Sequence, residues 1–152
     1  MGRSNKPRKW LGHKSRCKRQ STMGFDGGCA CGALRYQITG SPFLAAHCHC
    51  ESCRRATGSP MTSYFGVGRA QVTWKGSRSF YKASPGVTRG FCAQCGTPMH
   101  YMSTRWPGEM HIFAATLDDL TLYKPTAHVH WAERVPWLIL DDGLPRHDGR
   151  AP

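Results

Sequence analysis

Seven cysteines in three tight groups constrain this chain more than any other feature. They stand at Cys29-Ala30-Cys31, at Cys48-His49-Cys50-Glu51-Ser52-Cys53 and at Cys92-Ala93-Gln94-Cys95, while an eighth, Cys17, stands apart. Thiolates spaced this closely suit Zn²⁺, which takes four soft ligands tetrahedrally. Four cysteines close one such site. Three leave a second site with an open fourth position, as a catalytic zinc requires. The arithmetic predicts about two zinc ions per chain, one enclosed and one open. Four disulfides are the competing use of eight cysteines. C-x-C pairs bridge poorly to each other, and the N-terminal stretch has no apolar core of a secretory signal. The expected compartment is therefore the cytoplasm.

The chain has 152 residues, enough for one domain with a real core. Mean hydropathy is −0.49, and no run approaches the ~18 apolar residues of a membrane span. The net charge of +12 would suggest nucleic acid if it were spread over the chain. It is not: eight cations (Arg3, Lys6, Arg8, Lys9, Lys14, Arg16, Lys18 and Arg19) and no acid fall within residues 1–22, leaving +4 for the rest. Residues 1–22 are expected to be a disordered basic leader that binds phosphates at most non-specifically, with Cys17 a stray thiol. The domain is expected over residues 23–147, with 148–152 a loose tail.

Within the domain, short alternating apolar stretches are separated by turn signals at roughly ten-residue spacing, which predicts a mainly β fold. Strands are expected at 33–39, 43–47, 61–67, 71–74, 79–82, 87–91, 97–102, 110–115, 126–131 and 136–140, and one helical turn at Arg54–Gly58. The strands on either side of Cys92 and Cys95 should form a knuckle-like hairpin. Glycines around Cys29 and Cys31 leave room for backbone N–H groups to turn toward the sulfurs.

Several stretches, taken together, resemble the glutathione-dependent formaldehyde-activating enzyme family, which includes centromere protein V. They are Gly28-Cys-Ala-Cys-Gly-Ala-Leu-Arg-Tyr36, Cys48-His-Cys-Glu-Ser-Cys-Arg-Arg55, Phe91-Cys-Ala-Gln-Cys-Gly-Thr97, Thr116-Leu-Asp-Asp119, His128–Trp131 and Trp137 through Asp141-Asp-Gly-Leu-Pro145. The resemblance spans about residues 24–147 and does not include the basic leader. It implies a β-tent fold of twisted antiparallel sheets with zinc-knuckle loops. It implies a structural zinc on Cys29, Cys31, Cys92 and Cys95, and a second, catalytic zinc on Cys48, Cys50 and Cys53. It also implies a carbon–sulfur lyase that adds a zinc-bound thiol, glutathione or similar, to formaldehyde or a related small aldehyde.

Chemistry is consistent with that implication, because zinc deprotonates a coordinating thiol and yields a nucleophile at neutral pH. A non-catalytic zinc module, its second site closed by another ligand, is the alternative, since nothing in the sequence fixes the fourth ligand. Arg54 and Arg55 suit bidentate pairing with the carboxylates of a thiol cofactor, and equally suit a solvated surface. The His49 side chain should point away from the metal, because alternate residues of an extended segment face opposite ways. His100, His111, His128 and His130 read as packing or surface residues, Trp74, Trp131 and Trp137 as core, and Asp118 and Asp119 as turn formers.

Overall fold

The computed structural model describes residues 24–150. The basic leader and Cys17 lie outside the described residues. Ten strands form two sheets. The smaller sheet contains β1 (Phe25–Gly28), β2 (Arg35–Ile38) and β5 (Val72–Lys75), antiparallel in the order β1-β2-β5. The larger contains β3 (Leu44–Cys48), β4 (Thr62–Gly68), β6 (Arg78–Ser84), β7 (Val87–Cys92), β8 (Pro98–Ser103), β9 (Glu109–Phe113) and β10 (Ala127–Val129). Its order is β10-β3-β4-β9-β8-β7-β6. Every pair in it is antiparallel except β10 with β3, which run parallel and place Val129 opposite Cys48.

The mainly β expectation holds, with three local differences. β1 was not expected, because three of the four residues in Phe-Asp-Gly-Gly have poor strand propensity. It forms because β2 offers a full antiparallel register from Phe25↔Ile38 to Gly28↔Arg35. The helical turn expected at Arg54–Gly58 starts earlier: α1 spans Glu51–Thr57 and takes in Cys53. The strand expected at 136–140 does not form. No strand among the described residues pairs with it, and Trp137 and Ile139 are 69% and 89% exposed, so Trp137 is not a core residue. Residues 145–149 run beside β10 instead: the His128 N–H donates to Pro145 and the His147 N–H to His128. The tail expected to be loose from residue 148 is tied at Gly149, whose carbonyl accepts from the His130 N–H.

The core joins the two sheets. Tyr36 and Ile38 of β2 meet Phe65 and Val67 of β4, Met99 of β8, and Met110 and Ile112 of β9 in one buried cluster. Alternation in these strands puts one face of each sheet inward. Cys29 and Cys92 belong to the same cluster, so one group of sulfurs borders the main core. Cys48 belongs to a separate small cluster with Ala46 and Val129, against which Cys50, Cys53 and Tyr64 pack.

Candidate metal centre

The four-cysteine group is built from two knuckles. After Cys29, the chain turns so that the Gly32 N–H donates to the Cys29 carbonyl; after Cys92, the Gly96 N–H donates to the Cys92 carbonyl. Gly32 and Gly96 have φ of 76° and 74°, a left-handed conformation that glycine adopts without strain. Thr97 links the knuckles: its hydroxyl accepts from the Ala30 N–H and lies 3.1 Å from Cys95 Sγ. The sulfurs of Cys29, Cys31, Cys92 and Cys95 all lie within 4.8 Å of one another. A tetrahedron with Zn–S of ~2.3 Å has S···S edges of roughly 3.8 Å. Cys29–Cys31 and Cys31–Cys92 separations of 3.4 and 3.9 Å lie close to that edge, so the donor set fits zinc. Burial raises the Cys29 pKa, but the Leu34 N–H on its sulfur and the neighbouring thiols outweigh that and hold it below the ordinary thiol value. The Thr97 hydroxyl brings Cys95 down to about 5.

The three-cysteine group is local. β3 ends at Cys48, which is buried, and α1 starts three residues beyond it. Cys50 is the N-cap of α1, in the extended conformation, and its sulfur accepts from the Cys53 N–H at 3.3 Å. A cap acceptor of this kind satisfies one orphan donor of the first turn. Gly58 ends the helix in the left-handed conformation with φ 63°. The sulfurs of Cys48, Cys50 and Cys53 lie within 4.8 Å of one another, again close enough to hold one ion. Crowding separates the proton affinities of Cys48 and Cys53. Hydrogen bonds from Cys48 and Cys50 bring Cys53 down to about 3, against burial and with help from Arg89. The same contacts push Cys48 far up.

These three sulfurs line a cavity of about 480 Å³. Its apolar wall includes Ala46, Val129 and Phe113, and its aromatic side Tyr64, Tyr101 and Trp106. Burial, then the nearby sulfurs, raises the Tyr64 pKa, so its hydroxyl stays protonated. None of the four knuckle cysteines lines this cavity. Nor do Arg54 and Arg55. Arg54 donates to the carbonyls of His49 and Glu133, and Arg55 pairs with Glu51 one helical turn away. Two other arginines are present: Arg150, over the Trp106 ring at 4.7 Å, and Arg89, from β7. Arg89 carried no sequence signal, since a lone cation within a strand reads as a solvent-facing residue.

His49 lies between two of the sulfurs in sequence but faces a different part of the core. Its Nε2 is 2.9 Å from His128 Nδ1, and His128 Nε2 is 2.9 Å from the Asp142 carboxylate. An ionised carboxylate only accepts, so His128 donates to it from Nε2 and turns Nδ1 toward His49 Nε2. Burial, then His128, drops His49 to about 4, which keeps it neutral. The chain fixes the backbone between Cys48 and Cys50, with the His49 N–H donating to Val129. It also ties residue 142, far along the sequence, to the sulfur loop. Asp118 pairs with Arg35, and Asp119 caps the short turn at Leu120–Leu122, so both serve the backbone.

No helix among the described residues is long and apolar enough to cross a membrane. In structure, the chain is similar to a solved Rhodobacter sphaeroides protein with a TM-score of 0.52 and 23% identity, covering 61% of this chain and 87% of that one, a likeness of fold. In sequence, it is 31% identical over 118 residues to a Halomonas elongata protein provisionally named a glutathione-dependent formaldehyde-activating enzyme, covering 71% of this chain and 74% of that protein. It is also 31% identical over 81 residues to an uncharacterized lyase of Schizosaccharomyces pombe, covering 53% of this chain and 58% of that one. Residues 24–133 match the sequence model of one family, and they carry both sulfur groups, the cavity residue Arg89 and all ten of the described strands. The chain belongs to the glutathione-dependent formaldehyde-activating enzyme family.

Proposed function

We propose that this protein is a zinc-dependent carbon–sulfur lyase that adds a thiol, glutathione or a similar molecule, to formaldehyde or a related small aldehyde. The observation that carries this is the pairing of an incomplete sulfur set with space: Cys48, Cys50 and Cys53 converge without a fourth cysteine, and all three line the cavity. Cys29, Cys31, Cys92 and Cys95 would hold a second, structural zinc, making two per chain. Zinc at the three-sulfur site supplies a Lewis acid that keeps an incoming thiol deprotonated at neutral pH. The protein's own residues arrange the rest. Cys50 caps α1 and so fixes the angle between Cys48 and Cys53. The apolar wall restricts water around the reacting groups. The thiolate sulfur bonds to the carbonyl carbon, the carbonyl π pair moves to oxygen, and that oxygen takes a proton from solvent to give an S-hydroxymethyl thioether. A reducing, cytoplasmic setting suits the free thiols of both groups.

Cobalt-substituted protein tests this. Glutathione should add thiolate-to-metal charge-transfer intensity, and Cys53→Ala should abolish the gain while leaving the four-sulfur spectrum in place. No change with any thiol at millimolar concentration would sink the lyase assignment.

A further inference from the structure

Arg89 is a buried cation without an acid. It lies in the middle of β7, opposite Tyr81 of β6 and Tyr101 of β8, and is only 4% exposed. Its guanidinium sits 5.2 Å from the centre of the Tyr101 ring. Its Nη2 donates to Ser52 Oγ at 3.0 Å and reaches Cys53 Sγ at 3.7 Å. Its Nη1 is buried and has no partner among the described residues. No carboxylate among the described residues comes within ion-pair distance of it. A buried charge is costly unless it is paired, and a buried donor without an acceptor adds to that cost. The groups beside it that can carry negative charge are the sulfurs of the three-cysteine site. Arg89 also lines the cavity, on the same wall as Ser52 and Cys53.

We propose that Arg89 selects the charge of whatever enters this cavity: its guanidinium offsets the negative sulfurs and leaves an N–H for an anionic atom, such as a thiolate, placed beside Cys53. Three thiolates on a divalent ion carry one net negative charge, so a further anion meets repulsion there. A cation held at this distance removes much of that repulsion, in surroundings where screening by water is weak. The side chain thereby explains how an anionic ligand joins an already anionic site. This rests on the proposal that the three-sulfur site takes an external ligand, but not on any turnover of aldehyde.

The test uses the full chain loaded with cobalt and titrated at mildly alkaline pH with two probes, azide as an anion and imidazole as a neutral ligand. The absorption bands of the three-sulfur site give both affinities. Arg89→Met should weaken azide roughly 10- to 100-fold, the loss of a hydrogen bond between charged groups, and leave imidazole unchanged. Arg89→Lys should recover part of the azide affinity. Arg89→Gln, which retains a donor toward Ser52, repeats the measurement if the Met variant does not fold. Equal losses for azide and imidazole would overturn the proposal, and so would no loss for either. Metal release from this site in both neutral variants would overturn it too, because Arg89 would then be holding the cysteines rather than selecting a ligand. The lyase proposal is judged separately, by glutathione on the unaltered protein.

Discussion

The two sulfur groups differ in what they hold together. Cys29 and Cys31 follow a strand of the small sheet, whereas Cys92 and Cys95 belong to the β7–β8 hairpin of the large one. An ion shared by them would staple sheet to sheet across more than sixty residues of chain. Cys48, Cys50 and Cys53 all lie within six residues at the junction of β3 and α1, and an ion there ties only that junction. The first group borders the main core and the second faces a cavity. Similar sulfur sets would therefore serve different ends: closing a long loop would stabilise the fold, while a short local chelate would leave room for a ligand to enter.

The largest effect should come from the staple. Cys92→Ser should remove most of a metal contribution on the order of 10 kcal/mol and leave little folded protein, seen as loss of a cooperative thermal transition. Cys50→Ser should keep the fold and lose the second metal, because a serine oxygen still caps α1. Metal analysis alongside the melts checks both. A Cys50→Ser protein as unfolded as Cys92→Ser would erase the distinction between the sites.

A smaller effect probes the sheet interface without touching a sulfur. His100 of β8 is fully buried against Trp74 of the small sheet and Phe80, and neither ring nitrogen has a partner. Burial drops its pKa to about 4, against about 6.5 in an unfolded chain. The unfolded state then binds the proton more readily, so this residue's stabilising contribution is intact above pH ~6.5 and is lost as pH falls toward 4. That loss should reach on the order of a few kcal/mol, and His100→Leu should flatten this part of the pH–stability curve relative to the unaltered protein. An unchanged slope would show that His100 does not carry the acid response. Gly90→Ala acts at the same place, because a Cβ there would fall inside the His100 ring. It should cost about 1–3 kcal/mol by overpacking, measured by denaturant unfolding.

The smallest effect should come from the helix beside the open site. Arg55 and Glu51 form an exposed i,i+4 pair. Arg55→Ala should change stability by no more than about 0.5 kcal/mol and leave thiol affinity unaltered. A marked loss of glutathione binding in that variant would restore the carboxylate-binding role that its position after Cys53 suggests.

Much of this was legible in the sequence because the information was local. Strand alternation and turn glycines located nine of the ten strands, since the β period and the positive-φ turns are properties of neighbouring residues. β1 was not legible, because its two glycines form a strand only where β2 supplies the ladder. The Trp137–Leu140 stretch has strand-like residues but no partner edge. Arg54 and Arg55 adjoin the sulfurs in sequence, yet the turn of α1 points them at His49, Glu133 and Glu51 instead of the cavity.

The sequence by itself determined the donor set: seven thiols at close spacing, knuckle glycines where the chain must turn, and a count that is three beyond four. Chelation within a cluster is set by a few bonds, so it needs no knowledge of the fold. Only the tertiary structure decided that the three-sulfur group faces a cavity. It alone brought Arg89 from β7 to Cys53, 36 residues away in sequence, and Asp142 to the His128–His49 chain. Those contacts depend on sheet order and on which face each strand turns inward, and both are settled by the packing of the whole domain.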